Sequence, residues 1–208
     1  MAAAAPVKMH RTLPVEEAAR AGLYALLARL LYDGPDGALL RSIVEAEAFG
    51  ADADPDLARA WNALAAASSA MDADAGAEEY DALFVGVGKA AVSLYAGYYT
   101  GAPALDHPRI RLQATLASMG LGRRPGANEP EDHMAALFDV MRVLIAGGAG
   151  RGEAPLDEQR RFFEHELAVA APKFFSTVIA SPRANYYRKV AAFGLAFVAL
   201  EKEAFELE

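Results

Sequence analysis

Leu23, Leu26, Leu27, Leu30 and Leu31 recur at i, i+3, i+4, i+7 and i+8, one face of an amphipathic helix. The pattern predicts a helix from near Pro14 to the turn signal DGPDG at Asp33 to Gly37. Further helices are predicted over about Ala38 to Ala48, from near Pro55 through Trp61 and Leu64 to about Met71, and over Glu78 to Phe84. The period then breaks. GVGKAAVSLYAGYYTGAPALDHP, Gly86 to Pro108, mixes glycine, proline and tyrosine without a steady repeat and reads as a long ordered loop, a kind of segment that usually carries function.

Helical spacing returns over Ile110 to Met119 and again at Met134, Leu137, Phe138, Met141, Leu144 and Ile145. GGAGRGEAP, Gly147 to Pro155, reads as a flexible linker. Beyond it a helix is predicted around Leu156 to Ala170, a short one near Lys173 to Ile179, and a last one carrying Tyr187, Val190, Ala191, Gly194, Phe197, Val198, Glu201 and Phe205. No strand alternation and no internal repeat emerge. The expected architecture is all-α, one domain spanning residues 1–208 as a bundle of about 8–10 helices.

Composition narrows the function classes. A chain of 208 residues that is 54% hydrophobic and 23% charged can bury a sizeable core. Its net charge of −8 argues against a nucleic-acid binder, which would need basic stripes, and disfavours an anionic membrane surface. Cysteine is absent, which removes disulfides, thiolate nucleophiles and cysteine-bound metal sites. The start MAAAAPVKMHRTLPVEE is apolar before it is charged, the reverse of a secretory signal. The longest apolar run, Ala191 to Leu200, is half of what a membrane span needs, so no membrane insertion is expected. A cytoplasmic location follows as the expectation.

EPEDHMAALFDVM, Glu129 to Met141, is the densest chemistry. Its plainest reading is a helix start: Glu129 as cap, Pro130 at the first helical position, Glu131 and Asp132 in the first turn, where the dipole favours carboxylates by about 0.3–1 kcal/mol each. A metal site would need His133 and carboxylates converging from other elements, and no H-E-x-x-H spacing is present; none is expected. His10, His107 and His165 lie in no better context, and no G-x-S-x-G marks a nucleophile. LFVGVGK, Leu83 to Lys89, lacks the G-K-[ST] of a phosphate loop and reads as a turn ending a helix. A binding surface is also permitted, in which loop tyrosines beside an acidic turn receive a peptide with an apolar stretch and arginines. An enzyme using His133 with Asp132 on a nucleotide or small molecule stands as the alternative, and a purely structural assembly subunit as a third.

YDALFVGVG (Tyr80 to Gly88), SLY (Ser93 to Tyr95), EPEDHMAALFDVM, the glycine-rich segment that follows and FFEHELAVAAPKFF (Phe162 to Phe175) together resemble the TorD/DmsD-like family of molybdoenzyme maturation chaperones. The resemblance implies an all-helical cytoplasmic chaperone without turnover. It would bind the apo-molybdoenzyme catalytic subunit through a twin-arginine signal peptide, or an equivalent N-terminal segment, until the molybdopterin cofactor is inserted. It also implies weak guanine-nucleotide binding and a monomer or domain-swapped dimer, with Gly147 to Pro155 as the hinge. Glu129, Asp132, His133, Ser93 and Tyr95 are the peptide-binding candidates carried by the motifs. Glu131, as a further carboxylate for arginine, and Phe84, from the LFVGVG motif, join them.

Overall fold

The computed structural model of the chain describes residues 13–86, 88–101, 108–123, 129–148 and 150–207. Helix α1, Val15–Tyr32, starts after an extended Pro14 and carries Glu16 and Glu17 in its first turn and Arg29 in its last, each complementing the helix dipole. Three aspartates then open three helices by accepting backbone N–H groups. Asp36 caps α2, Gly37–Glu45; Asp54 caps α3, Pro55–Ala70; Asp72 caps α4, Ala73–Tyr80.

Helix α4 runs on into a π-helical turn, Asp81–Val85, which Gly86 ends at φ +65°. A Cβ there would lie 2.5 Å from the Lys89 carbonyl oxygen, so only glycine permits the chain to fold back so tightly. The reversal is closed by the Val92 N–H donating to the Leu83 carbonyl at 2.9 Å. After it come α5, Gly97–Thr100; α6, Pro108–Ser118; α7, Met134–Ala146; and α8, Leu156–Phe162, which passes into a second π-helical turn at Phe163–Leu167. Helices α9, Ala171–Ala180, and α10, Tyr186–Leu207, finish the bundle. The all-α expectation holds.

Helix α1 lies along α7, and α10 packs against both α3 and α9. Their apolar faces make one core, in which the Tyr24 ring meets Phe138 and Phe197 and Phe138 meets Phe175. Two polar devices tie distant elements together. Arg20 donates from Nε to both Glu201 oxygens at 2.9 and 2.8 Å, and the buried Tyr24 hydroxyl donates to Glu201 at 2.7 Å. Glu79 of α4 accepts the first N–H groups of α10, from Asn185, Tyr186 and Tyr187, at 2.8, 3.0 and 2.9 Å.

Several local expectations change. The helix expected to start at Glu129 begins at Met134, with His133 as its cap, so Pro130 is not at a first helical position and Glu131 and Asp132 are not in a first helical turn. The expected helix over Leu156 to Ala170 is interrupted by the second π turn. Across the described part of 147–155 the chain forms a tight turn instead of an open linker. Gly148 and Arg151 exchange two backbone hydrogen bonds of 3.0 Å, and the Arg151 guanidinium bonds the Met119 carbonyl and Glu158. Phe84 is buried among Tyr80, Phe174 and Tyr187, which makes it a core residue that no ligand reaches directly.

Candidate functional site

The loop after the first π turn alternates as an extended strand does. Val92, Leu94 and Ala96 point inward, while Ser93 is half-buried and Tyr95 is 39% exposed. Ser93 Oγ accepts the Tyr95 N–H at 3.2 Å, and the Tyr99 hydroxyl donates to the Ser93 carbonyl at 2.7 Å, which fixes the loop's shape. Two backbone hydrogen bonds then fasten it to the acidic turn. The Ala96 N–H donates to the Asp132 carbonyl and the Met134 N–H to the Leu94 carbonyl, both at 2.8 Å, so Tyr95 and His133 face one another as an antiparallel bridge. A turn between Pro130 and His133 presents Asp132 for this pairing. That is the local reason for E-P-x-D-H: the four residues before histidine are a turn, and histidine starts the helix.

His133 is 3% exposed, and its Nδ1 accepts the Ala135 N–H at 3.2 Å. Accepting at Nδ1 requires the neutral ring with its proton on Nε2. Burial accordingly pushes the pKa below the usual histidine value, against the opposing pull of Glu129 and Asp132. Two tyrosines flank the imidazole edge-on, Tyr95 at 5.6 Å and Tyr32 at 6.4 Å between ring centroids.

The three carboxylates differ sharply. Glu129 accepts the Tyr95 hydroxyl at 2.9 Å and has no ion-pair partner among the described residues. Asp132 likewise has none among them, and Gly97 leaves it room, since a Cβ at that position would sit 3.2 Å from its Oδ2. Glu131 is already engaged: Arg109 and Gln113 donate to it at 3.2 and 3.0 Å, and Arg123 pairs with it at 3.4 Å. Its own backbone N–H, then Gln113, Arg109 and Arg123, hold its carboxyl below the ordinary range. Glu131 therefore moors α6 to the turn, and an incoming cation would have to displace a resident arginine.

Beside this cluster runs a groove of about 620 Å³ between α1, α6 and α7. Small and apolar side chains line much of it, with Ala25 and Ala28 from α1, Ala135, Ala136 and Val140 from α7 and Leu116 from α6; Tyr32, Glu129 and His133 line it too, as do the charged side chains of Arg29, Arg123, Glu131, Asp139 and Arg142. Alanine at these positions lets α1 and α7 approach closely while leaving a channel above them. A second cavity of about 720 Å³ lies between α6 and the second π turn. There the carboxylate of buried Glu166, pushed up in pKa by burial, is met by Arg111 at 3.6 Å and Thr115 at 3.5 Å.

Of the sequence-predicted residues, the structure thus gathers Ser93, Tyr95, Glu129, Asp132 and His133, gives Glu131 to α6, and places Phe84 beneath the surface. Tyr32 escaped sequence reading, because nothing in LLYDGPDG marks it; packing of α1 on α7 brings it to His133. His10 and His107 lie outside the described residues, and His165 bonds the Arg161 carbonyl on its own helix. Among the described residues no group of three or more histidines and carboxylates could hold a metal ion, and no helix is long and apolar enough to cross a membrane.

The family model of the nitrate reductase delta subunit matches residues 51–176, which include the π turn, the bridged loop, the acidic turn and α7. The chaperone protein TorD of Photobacterium profundum is 31% identical over 87 residues, 41% of this chain and 38% of that relative, so the match spans well under half of either protein. A crystal structure from Archaeoglobus fulgidus, described as a redox enzyme maturation protein, superposes with a TM-score of 0.53 at 17% identity, covering 94% of this chain and 99% of that one; it shares the fold. On the extent of the family match, the chain belongs to the nitrate reductase delta subunit family, the TorD-like family that its motifs resemble.

Proposed function

We propose that the protein is a cytoplasmic redox enzyme maturation chaperone. Its client is the apo form of a molybdoenzyme catalytic subunit, held by a twin-arginine signal peptide or an equivalent N-terminal segment while cofactor insertion and assembly proceed. The observation that carries this reading is the Tyr95–His133 bridge. It brings an exposed tyrosine, two carboxylates without ion-pair partners among the described residues and the mouth of an apolar groove to one place. The peptide's apolar stretch lies in the groove, and its arginines meet Glu129 and Asp132.

Magnitudes divide the work. Micromolar binding requires about 8 kcal/mol, exposed charge pairs return about 0–1 kcal/mol apiece, and ordering a flexible peptide costs about 2–5 kcal/mol. Two arginines thus contribute about 2 kcal/mol at most, leaving roughly 8–11 kcal/mol to apolar burial, or roughly 300–450 Å² at about 25 cal/mol per Å². Affinity should be moderate and only modestly salt-dependent. Titrating a synthetic twin-arginine peptide across salt concentrations tests this: a collapse by orders of magnitude would show that charge dominates, and no binding at any salt would remove the reading. The alternative of a nucleotide or small-molecule enzyme loses its base, because His133 Nδ1 is committed to the Ala135 N–H and Nε2 then carries the ring's proton. The protein works as a monomer or as a dimer swapped at the 147–155 turn, and light scattering of the purified chaperone decides between them.

A further inference from the structure

Tyr32, the last residue of α1, is 60% exposed, although Leu30 and Leu31 before it are buried. A solvated tyrosine is ordinary by itself. This one is held in place. The Tyr80 hydroxyl donates to the Tyr32 carbonyl at 2.9 Å and reaches that of Leu31 at 3.3 Å, so the end of α1 is pinned where it stands. The Tyr32 ring leans on buried His133, the planes 70° apart, and lines the groove together with Glu129.

The charges around it are of both signs, and most are paired with one another. Asp33 follows Tyr32 in the chain and Glu129 lines the groove with it, and the Tyr80 hydroxyl is pushed up in pKa by burial, then by the charges of Asp33 and Glu129. Arg29, which lines the groove with Tyr32, is committed to Asp36 at 2.9 Å, to the Asp33 carbonyl at 3.2 Å and to the Asp33 carboxylate at 4.0 Å, and Arg123 is committed to Glu131 at 3.4 Å. Glu129 is left without an ion-pair partner among the described residues, and an aromatic face beside such a carboxylate is the environment that a planar cation fills best.

We infer that Tyr32 is the aromatic wall against which a client guanidinium stacks, and that it makes the site choose arginine over lysine. This rests on the peptide-binding reading and names the chemical group that the site grips. A guanidinium is planar and weakly hydrated, so it lies flat on the ring while its edge donates two parallel hydrogen bonds to Glu129. An ammonium is compact and strongly hydrated, and it loses more on leaving water than the ring returns.

The test is isothermal titration of the wild-type protein, Tyr32→Phe and Tyr32→Leu with a twin-arginine peptide and its twin-lysine counterpart. Wild type should prefer arginine, and Tyr32→Phe, which keeps the ring, should retain the preference. Tyr32→Leu should bind the arginine peptide about two- to fivefold more weakly with lysine binding unchanged, so that the ratio shrinks. Tyr32→Leu keeping the wild-type ratio would overturn the inference and leave peptide binding standing. Wild type binding neither peptide would overturn the peptide-binding reading and the inference together.

Discussion

Replacing His133 tests the site's construction without any ligand. The imidazole caps α7 through Nδ1 and fills the space between Tyr32 and Tyr95. In His133→Ala the lost cap costs about 1 kcal/mol. A residual void of about 60 Å³, at about 24 cal/mol per Å³, adds about 1.4 kcal/mol. The sum is about 2–3 kcal/mol. In His133→Asn a capping acceptor survives and only part of the void remains, so the loss should be about 1 kcal/mol. Wild type against His133→Asn also separates packing from titration. Because the folded state holds His133 below its ordinary pKa, the unfolded chain binds more protons between the folded value and about 6.5. The histidine's contribution is therefore fully present above about pH 6.5 and is lost as pH falls through the folded pKa, with a slope of at most about 1.4 kcal/mol per pH unit. Glu129 and Asp132 oppose the shift and narrow this window. Glu166 and Glu201, whose carboxyls burial pushes up, titrate in both proteins and cancel in the difference. Urea unfolding followed by the single tryptophan, buried Trp61, at pH 7.5, 6.5 and 5.5 should show the gap between wild type and His133→Asn shrinking as pH falls. A gap that does not change with pH would refute the neutral, Nδ1-accepting histidine.

Three other outcomes follow from packing and capping. Glu79→Gln should lower stability by about 1–2 kcal/mol, since three N–H groups at the start of α10 lose a charged acceptor, and calorimetric melting measures it. Gly194→Ala should destabilise by at least about 1–3 kcal/mol, because the new Cβ would lie 2.3 Å from Cζ of buried Phe175; adding Phe175→Leu should recover part of the loss in the same melts. Arg20→Met should cost about 3–5 kcal/mol by stranding Glu201 beside Tyr24, whereas Arg20→Met with Glu201→Met and Tyr24→Phe should regain most of it in denaturant titrations, because a buried ion pair removed together with the hydroxyl bonded to it loses far less than one cut in half.

Helix identity was legible along the chain wherever one apolar stripe ran long enough to impose its period, as in Leu23 to Leu31 and Met134 to Ile145. The aspartates that cap α2, α3 and α4 act within three residues of their own positions, so local spacing suffices for them. The motifs around Ser93, Tyr95 and EPEDH were readable as a set for the same reason: each is a short run with its own turn chemistry. What these residues do to one another was not readable. The acidic turn lies outside α7 because Asp132 and Met134 pair with Ala96 and Leu94, and a backbone bond across that many residues has no local signature. Glu131 and Glu129 have similar sequence surroundings, yet α6 lands on one and leaves the other facing Tyr95. Tyr32 joins His133 only because α1 packs along α7. Short-range pattern determines which elements form, but access to solvent and to partners depends on how those elements stack, and there tertiary packing alone decided.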